Sequence, residues 1–224
     1  MTEVITSSDL LCLDDFVGTH PILIDLVYAK PHHPENMFKT EIYRPDAKMW
    51  GHKDLVGIVL QAAKTCREKY GWTLVIKDCL RTMEAQARMI DTDIVRANPH
   101  WIQEPNRLLS TPGMGGHPRG MAVDIDPVDE NGQPVDMGTV FDYLTPDRNH
   151  NPAARNFRDF PATVLENRLR LENAMVDAAK AVGLPLLPLP QEWWDFRFPS
   201  DYSARFTPIS DEKLPPHQRM TRPL

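Results

Sequence analysis

Apolar and polar positions along this chain follow two different rhythms. Between 52 and 69, Leu55, Ile58, Val59, Ala62, Ala63 and Cys66 recur at the three-and-four spacing of one helix face, and Tyr70-Gly71 ends the pattern. A helix is predicted there. A second helix is predicted over 162–182, closed by Gly183, because glycine readily takes the left-handed conformation that ends helices. Short β-rich runs stand at 72–77 (WTLVIK) and 121–126 (MAVDID). In the second, hydrophobic and acidic residues alternate, so a strand there buries one face and gathers its acids on the other. The run 192–196 (EWWDF) reads as a final strand. Residues 21–46 begin apolar and break into Pro, Asn and His, the pattern of a strand feeding an irregular loop, and 98–120 reads as loop. Asp78-Cys79-Leu80-Arg81 follow the first β run, and Thr82 is placed to cap a helix beginning Met83-Glu84-Ala85. Arg81 therefore sits at a strand-to-helix junction. The tail from 199 is proline-rich and is expected to wrap the surface.

Composition narrows the possible functions. A chain of 224 residues fits one domain, expected to span 1–224, and is long enough to bury a real core. No run approaches the eighteen or so apolar residues a membrane span needs, and the first residues lack the basic-then-apolar order of a secretory signal, so a cytoplasmic protein with no membrane partner is expected. Cys12, Cys66 and Cys79 are scattered without C-x-x-C spacing, which predicts buried thiols rather than a disulfide framework or zinc ribbon. A net charge of -6 without a Lys/Arg cluster argues against nucleic acid and favours a small ligand. The 21 prolines fall mostly outside the regular runs, implying long ordered loops.

The densest chemistry lies at 115–124 (GGHPRGMAVD), where an imidazole in a glycine-rich turn precedes a carboxylate on a strand. Such a pair can supply two of the three protein ligands of a catalytic zinc, which keeps its fourth position for water. A turn-capping His117 and a solvated Asp124 are the plain alternative.

Four motifs in order decide between them. H-x-R-G-x-A-x-D (117–124), D-M-G-T-x-F-D (136–142), D-x-x-R (78–81) and a late E-W-W (192–194) together resemble the zinc D-alanyl-D-alanine dipeptidases of the vancomycin-resistance type, which share the hedgehog/DD-peptidase fold. The similarity runs from about Tyr28 to Phe196. It implies His117 and Asp124 as metal ligands, Glu192 as general base for a metal-activated water, Arg81 as the group that stabilises the oxyanion, and Asp142 as the partner of a dipeptide's free amine. The implied substrate is D-Ala-D-Ala or a related peptidoglycan fragment. These roles suit the chemistry: a metal lowers the pKa of water to about 7 and polarises the carbonyl, a carboxylate moves the proton, and an arginine meets charge as it develops. For Arg81 the simpler role is a salt bridge to Asp78, and for Asp142 a turn or cap. Trp193 and Trp194 read as core and pocket wall. The expected fold is α+β, with helices packed on a small, mostly antiparallel sheet and the metal in a cleft.

Two positions depart from the family pattern. Where the family has E-W-W-H, with the histidine as third ligand, this chain has Asp195. An aspartate can ligate, so His117, Asp124 and Asp195 remain the expected metal set, but a second carboxylate makes the shell neutral around Zn²⁺, weakens its Lewis acidity and shifts preference toward Mn²⁺ or Fe²⁺. On this basis Asp195→His should strengthen zinc binding. In an ideal strand 192 and 195 face opposite sides, so both reach one site only if a bulge or strand end re-aims one of them. His150 is the alternative third ligand if Asp195 points away. The second departure is Gly115, where the family usually carries Ser. Both leave room for a hydrolase of another small peptide or amide, or for a protein that binds without turnover.

Overall fold

The structure is a computed structural model that describes residues 2–222 apart from Asn106 and Arg148. A short strand, β1 (Leu10–Cys12), pairs antiparallel with β3 (Trp50–His52) as a separate two-stranded ribbon. The main sheet has five strands, β2 (Ile22–Ile24), β4 (Thr73–Asp78), β5 (Ala122–Val128), β6 (Leu187–Pro188) and β7 (Asp195–Arg197), in the order β2-β4-β5-β7-β6. Within this sheet β2 and β4 run parallel, and the other neighbouring strands pair antiparallel. The α+β reading with a mostly antiparallel sheet therefore holds.

The long helices are α1 (Lys53–Tyr70) and α4 (Ala162–Ala181), with the shorter α2 (Met83–Ile90), α3 (Asp93–Ala97) and α5 (Ser200–Ser203). The apolar stripe foreseen on α1 is the buried one: Leu55, Ile58, Val59, Ala62, Ala63 and Cys66 are almost wholly enclosed and pack toward α4 and β4. Each such aliphatic side chain contributes roughly 1.5–3 kcal/mol of burial free energy. His52 caps the start by accepting from the Asp54 N–H at 3.4 Å, and Gly71, at φ 74°, ends the helix. Thr82 occupies the N-cap of α2 as expected, but its hydroxyl makes no capping bond. All three cysteines are buried and free. Among the described residues no helix is long and apolar enough to cross a membrane.

Three expectations are corrected. The acidic side of β5 is not solvated, since Asp124 is as enclosed as its apolar neighbours. The last strand begins at Asp195, not 192, because 192–194 form a turn tied down by Trp193 N–H to Ala153 O at 3.0 Å and Ile125 N–H to Trp194 O at 3.1 Å. The tail does more than lie on the surface. Ile209, Leu214 and Met220 are buried, and the Asp211 carboxylate accepts from the N–H groups of Met220 (2.7 Å) and Thr221 (2.9 Å).

Candidate active site

Strand register creates the site. Across the middle of the sheet Asp78 stands opposite Asp124, and Asp124 opposite Asp195, so three carboxylates form a row over β4, β5 and β7. Residues directly opposite in antiparallel strands share a face, with side chains about 5 Å apart. Asp78 joins the row because β4 shifts register between Ile76 and Asp78, which re-aims one position.

His117 enters the row from above. It begins a 3-10 turn, His117–Arg119, between two constrained glycines. A Cβ at Gly116 would lie 2.7 Å from the Met121 carbonyl, and one at Gly120 would lie 2.8 Å from the His52 nitrogen on a backbone with φ +62°. Side chains are thus excluded where the turn presses on the sheet. Arg119 ties the loop by donating to the Gly113 and Gly115 carbonyls, each at 2.9 Å. His117 Nδ1 lies 2.8 Å from the Cys79 carbonyl, which can only accept, so Nδ1 carries the proton. The lone pair is then on Nε2, which lies 3.6 Å from Asp124 Oδ1 and 3.3 Å from Asp195 Oδ2.

Donors bound tetrahedrally at 2.0–2.1 Å stand about 3.4 Å apart, a value that lies between the two spacings from Nε2. Asp124 Oδ1 is buried and has no hydrogen-bond partner among the described residues, a costly state that a cation would relieve. At this cleft the three described donors whose ligand atoms all lie within 4.8 Å of one another are those of His117, Asp124 and, in place of Asp195, Asp78. Its lone pairs are taken, however: Oδ2 accepts from Arg81 Nε (2.9 Å) and Nη2 (2.6 Å), and Oδ1 from the Tyr43 hydroxyl (2.5 Å) and the Cys79 N–H (2.9 Å). A carboxylate offers about four such sites. Among the described residues the Asp195 carboxylate accepts from Arg197, Nε to Oδ1 at 2.7 Å and Nη2 to Oδ2, and with Nε2 of His117 unprotonated it retains donor capacity. His150 is elsewhere, on a groove beside α4 and edge-on to Phe157.

The other sequence-named residues converge on the same cleft, which Arg81, His117, Asp124, Asp142, Glu192 and Asp195 all line. The Arg81–Asp78 salt bridge foreseen as the simpler role is present, and it fixes the guanidinium at the cleft wall, with Arg81 Nη2 3.7 Å from Asp124. Asp142 has the left-handed φ of 58°, unusual for a non-glycine, and accepts from the Tyr28 hydroxyl at 2.9 Å. Burial pushes its carboxyl up to about 6. Burial, with Asp195 alongside, pushes Glu192 up to about 8. Burial and the neighbouring Asp195 and Asp78 also hold Asp124 well above the usual carboxylate range. Asp195 goes the other way: burial would raise it, but the Arg197 guanidinium holds it well below that range. Trp193 and Trp194 are core, and Trp193 donates to Thr139 at 2.8 Å.

Sequence reasoning missed Arg197, Tyr28 and Tyr43. Arg197 left a signal, since Asp-x-Arg on a strand puts both side chains on one face. The two tyrosines arrive from irregular segments whose return to the sheet no local pattern announces.

Comparison with known proteins shows that the chain is a peptidase. It belongs to the D-ala-D-ala dipeptidase family, peptidase M15, whose profile matches residues 10–212. It is 29% identical over 206 residues to the D-alanyl-D-alanine dipeptidase of Escherichia coli strain K12, covering 92% of this chain and 93% of that one. Among solved structures it is similar to the L-Ala D-Glu endopeptidase ChiX of Serratia marcescens, at 16% identity and a TM-score of 0.39 over 68% of this chain and 84% of that one.

Proposed function

We propose that this chain hydrolyses a small peptide with free termini, D-Ala-D-Ala or a related peptidoglycan fragment, using one Zn²⁺ held by His117, Asp124 and Asp195. The observation that carries the reading is the partnerless, buried Asp124 Oδ1 facing the unprotonated nitrogen of His117. When bound, the ion supplies a nucleophilic water at neutral pH and polarises the scissile carbonyl.

The charge balance supports a divalent ion together with an amine substrate. Asp78, Asp124, Asp142, Glu192 and Asp195 are all buried around two guanidiniums, Arg81 and Arg197. Fully ionised, they carry a surplus of three negative charges, the amount one divalent ion and one ammonium neutralise. Without those cations the site meets the surplus by holding protons, which is why burial and mutual repulsion raise Asp124, Glu192 and Asp142 together. Glu192 is the general base and returns its proton to the leaving amine, a task suited to a carboxyl poised near neutrality. Arg81, immobilised by Asp78, stabilises the oxyanion. Asp142, oriented by Tyr28, pairs with the substrate's free amine and so selects short peptides.

Metal analysis of the purified protein, paired with release of D-alanine from D-Ala-D-Ala, tests the reading. One bound zinc per chain and turnover that N-acetylation of the substrate suppresses are expected. Turnover with Mn²⁺ or Fe²⁺ and not with Zn²⁺ would move the site to a harder ion, as its two carboxylates allow. No bound metal and no turnover would sink the proposal.

A further inference from the structure

Arg197 forms a two-pronged ion pair with Asp195, through Nε and Nη2, and its side chain is only 16% exposed. It is the second guanidinium of the cleft, yet unlike Arg81 it is anchored by a carboxylate of the proposed donor set. The space beside it is open because residue 115 is a glycine. A Cβ built there, on a backbone already at φ +84°, would sit 3.6 Å from Arg197 Nη1 and 3.1 Å from the Ser110 hydroxyl oxygen. A longer side chain at 115 would compete with the guanidinium for that corner.

We infer that Asp195 and Arg197 act as one charge-neutral ligand unit, with Asp195 Oδ2 as the donor and Arg197 as a positioning residue that cancels its charge from the outer side. The row of carboxylates explains the need. Asp78 is paired with Arg81 and Asp195 with Arg197, whereas Asp124 lies 3.7 Å from the Arg81 that Asp78 already holds, and its Oδ1 has no hydrogen-bond partner among the described residues. A divalent ion on His117, Asp124 and this unit keeps a net positive charge, the condition under which it polarises a carbonyl well. Arg197 thereby removes the neutral-shell penalty that Asp195 would otherwise impose. Its fork also fixes the carboxylate's rotation, leaving the remaining lone pair of Oδ2 toward His117 Nε2 at 3.3 Å.

The inference rests on the metal site proposed above, and it reverses the effect foreseen for Asp195→His. With Arg197 present, a neutral histidine would strand an unpaired, nearly buried cation beside the metal.

The test is a double-mutant cycle on the full chain, with Zn²⁺ affinity measured by competition with a chromophoric chelator and the visible spectrum of the Co²⁺-loaded protein recorded in parallel. Asp195→His is expected to weaken zinc at least roughly tenfold in the Arg197 background, and to leave it unchanged or tighter in the Arg197→Gln background. Arg197→Lys, which keeps the charge, should hold wild-type affinity within about threefold and preserve the Co²⁺ spectrum. Circular dichroism confirms that each variant is folded, and Arg197→Lys keeps the idea exposed to refutation if Arg197→Gln does not fold. Equal effects of Asp195→His in both backgrounds, or an unchanged Co²⁺ spectrum when Asp195 is replaced, would overturn the inference. If the wild-type chain binds zinc stoichiometrically and the cycle is additive, this inference alone falls. If the wild type binds no divalent ion, the proposed function falls with it.

Discussion

Each residue in the cleft performs its task through what holds it. Glu192 is seven per cent exposed and forms no ion pair among the described residues, and burial, with Asp195 alongside, pushes its carboxyl up to about 8. Glu192→Gln keeps its shape and removes its capacity to carry a proton. It should cut kcat by about 10²–10⁴-fold while bound zinc, measured by elemental analysis, stays at the wild-type ratio. Loss of the metal as well would make Glu192 a ligand. Arg81→Ala should lower kcat more than it raises KM, because an oxyanion exists only along the reaction path, but the same change strands Asp78 in the interior. Comparing its melting temperature with that of Arg81→Lys separates the two effects: Lys keeps a charge near Asp78 and should recover stability more fully than rate. His117, Asp124, Glu192, Asp142 and Arg81 were legible in the sequence because motifs fixed their spacing. Their supports were not, since Tyr28 and Tyr43 meet Asp142 and Asp78 across 114 and 35 residues of chain.

Among the elements, the long periodic ones were readable and the short ones were not. The α1 stripe stood out because seven buried positions repeat on one face over eighteen residues. A three-residue strand such as β7 has no period to detect, and its neighbouring tryptophans made 192–194 resemble strand when they form a turn that drops both rings into the core. That turn answers the geometric problem of Glu192 and Asp195: only Asp195 is in the sheet, so alternation does not force the two apart. The turn carrying His117 is equally short, and its conformation depends on the absence of side chains at Gly116 and Gly120. Gly116→Ala should therefore cost about 1–3 kcal/mol in chemical denaturation, because its methyl meets the Met121 carbonyl and the Ala122 side chain with no flexible neighbour to give way. Zinc affinity should fall with it as His117 is pushed off line. A variant that melts like wild type and binds zinc normally would show that the turn has more slack than these contacts allow.

For the molecule as a whole, the site is a local instability built into the middle of the sheet. Three aspartates line up across adjacent strands, and Oδ1 of the central one has no hydrogen-bond partner among the described residues. An unsatisfied buried polar atom costs about 1–3 kcal/mol, a burden a folding domain carries only if something else relieves it. A bound ion does so, and because it binds the folded chain it stabilises by mass action, about 2.7 kcal/mol at a hundredfold excess over Kd. For a chain of this size that is roughly 5–10 °C in melting temperature. Asp124→Asn separates the two contributions. In chelator it should melt above wild type, since the amide removes repulsion from Asp195 and Asp78. In zinc it should melt below wild type, since the ion has lost a ligand. The expected signature is a crossing of the two proteins' stabilities between the metal-free and metal-loaded states, read by calorimetry in EDTA and in added zinc. If Asp124→Asn is less stable than wild type in both conditions, the carboxylate is structural, and the orphaned oxygen is satisfied by water rather than reserved for a cation.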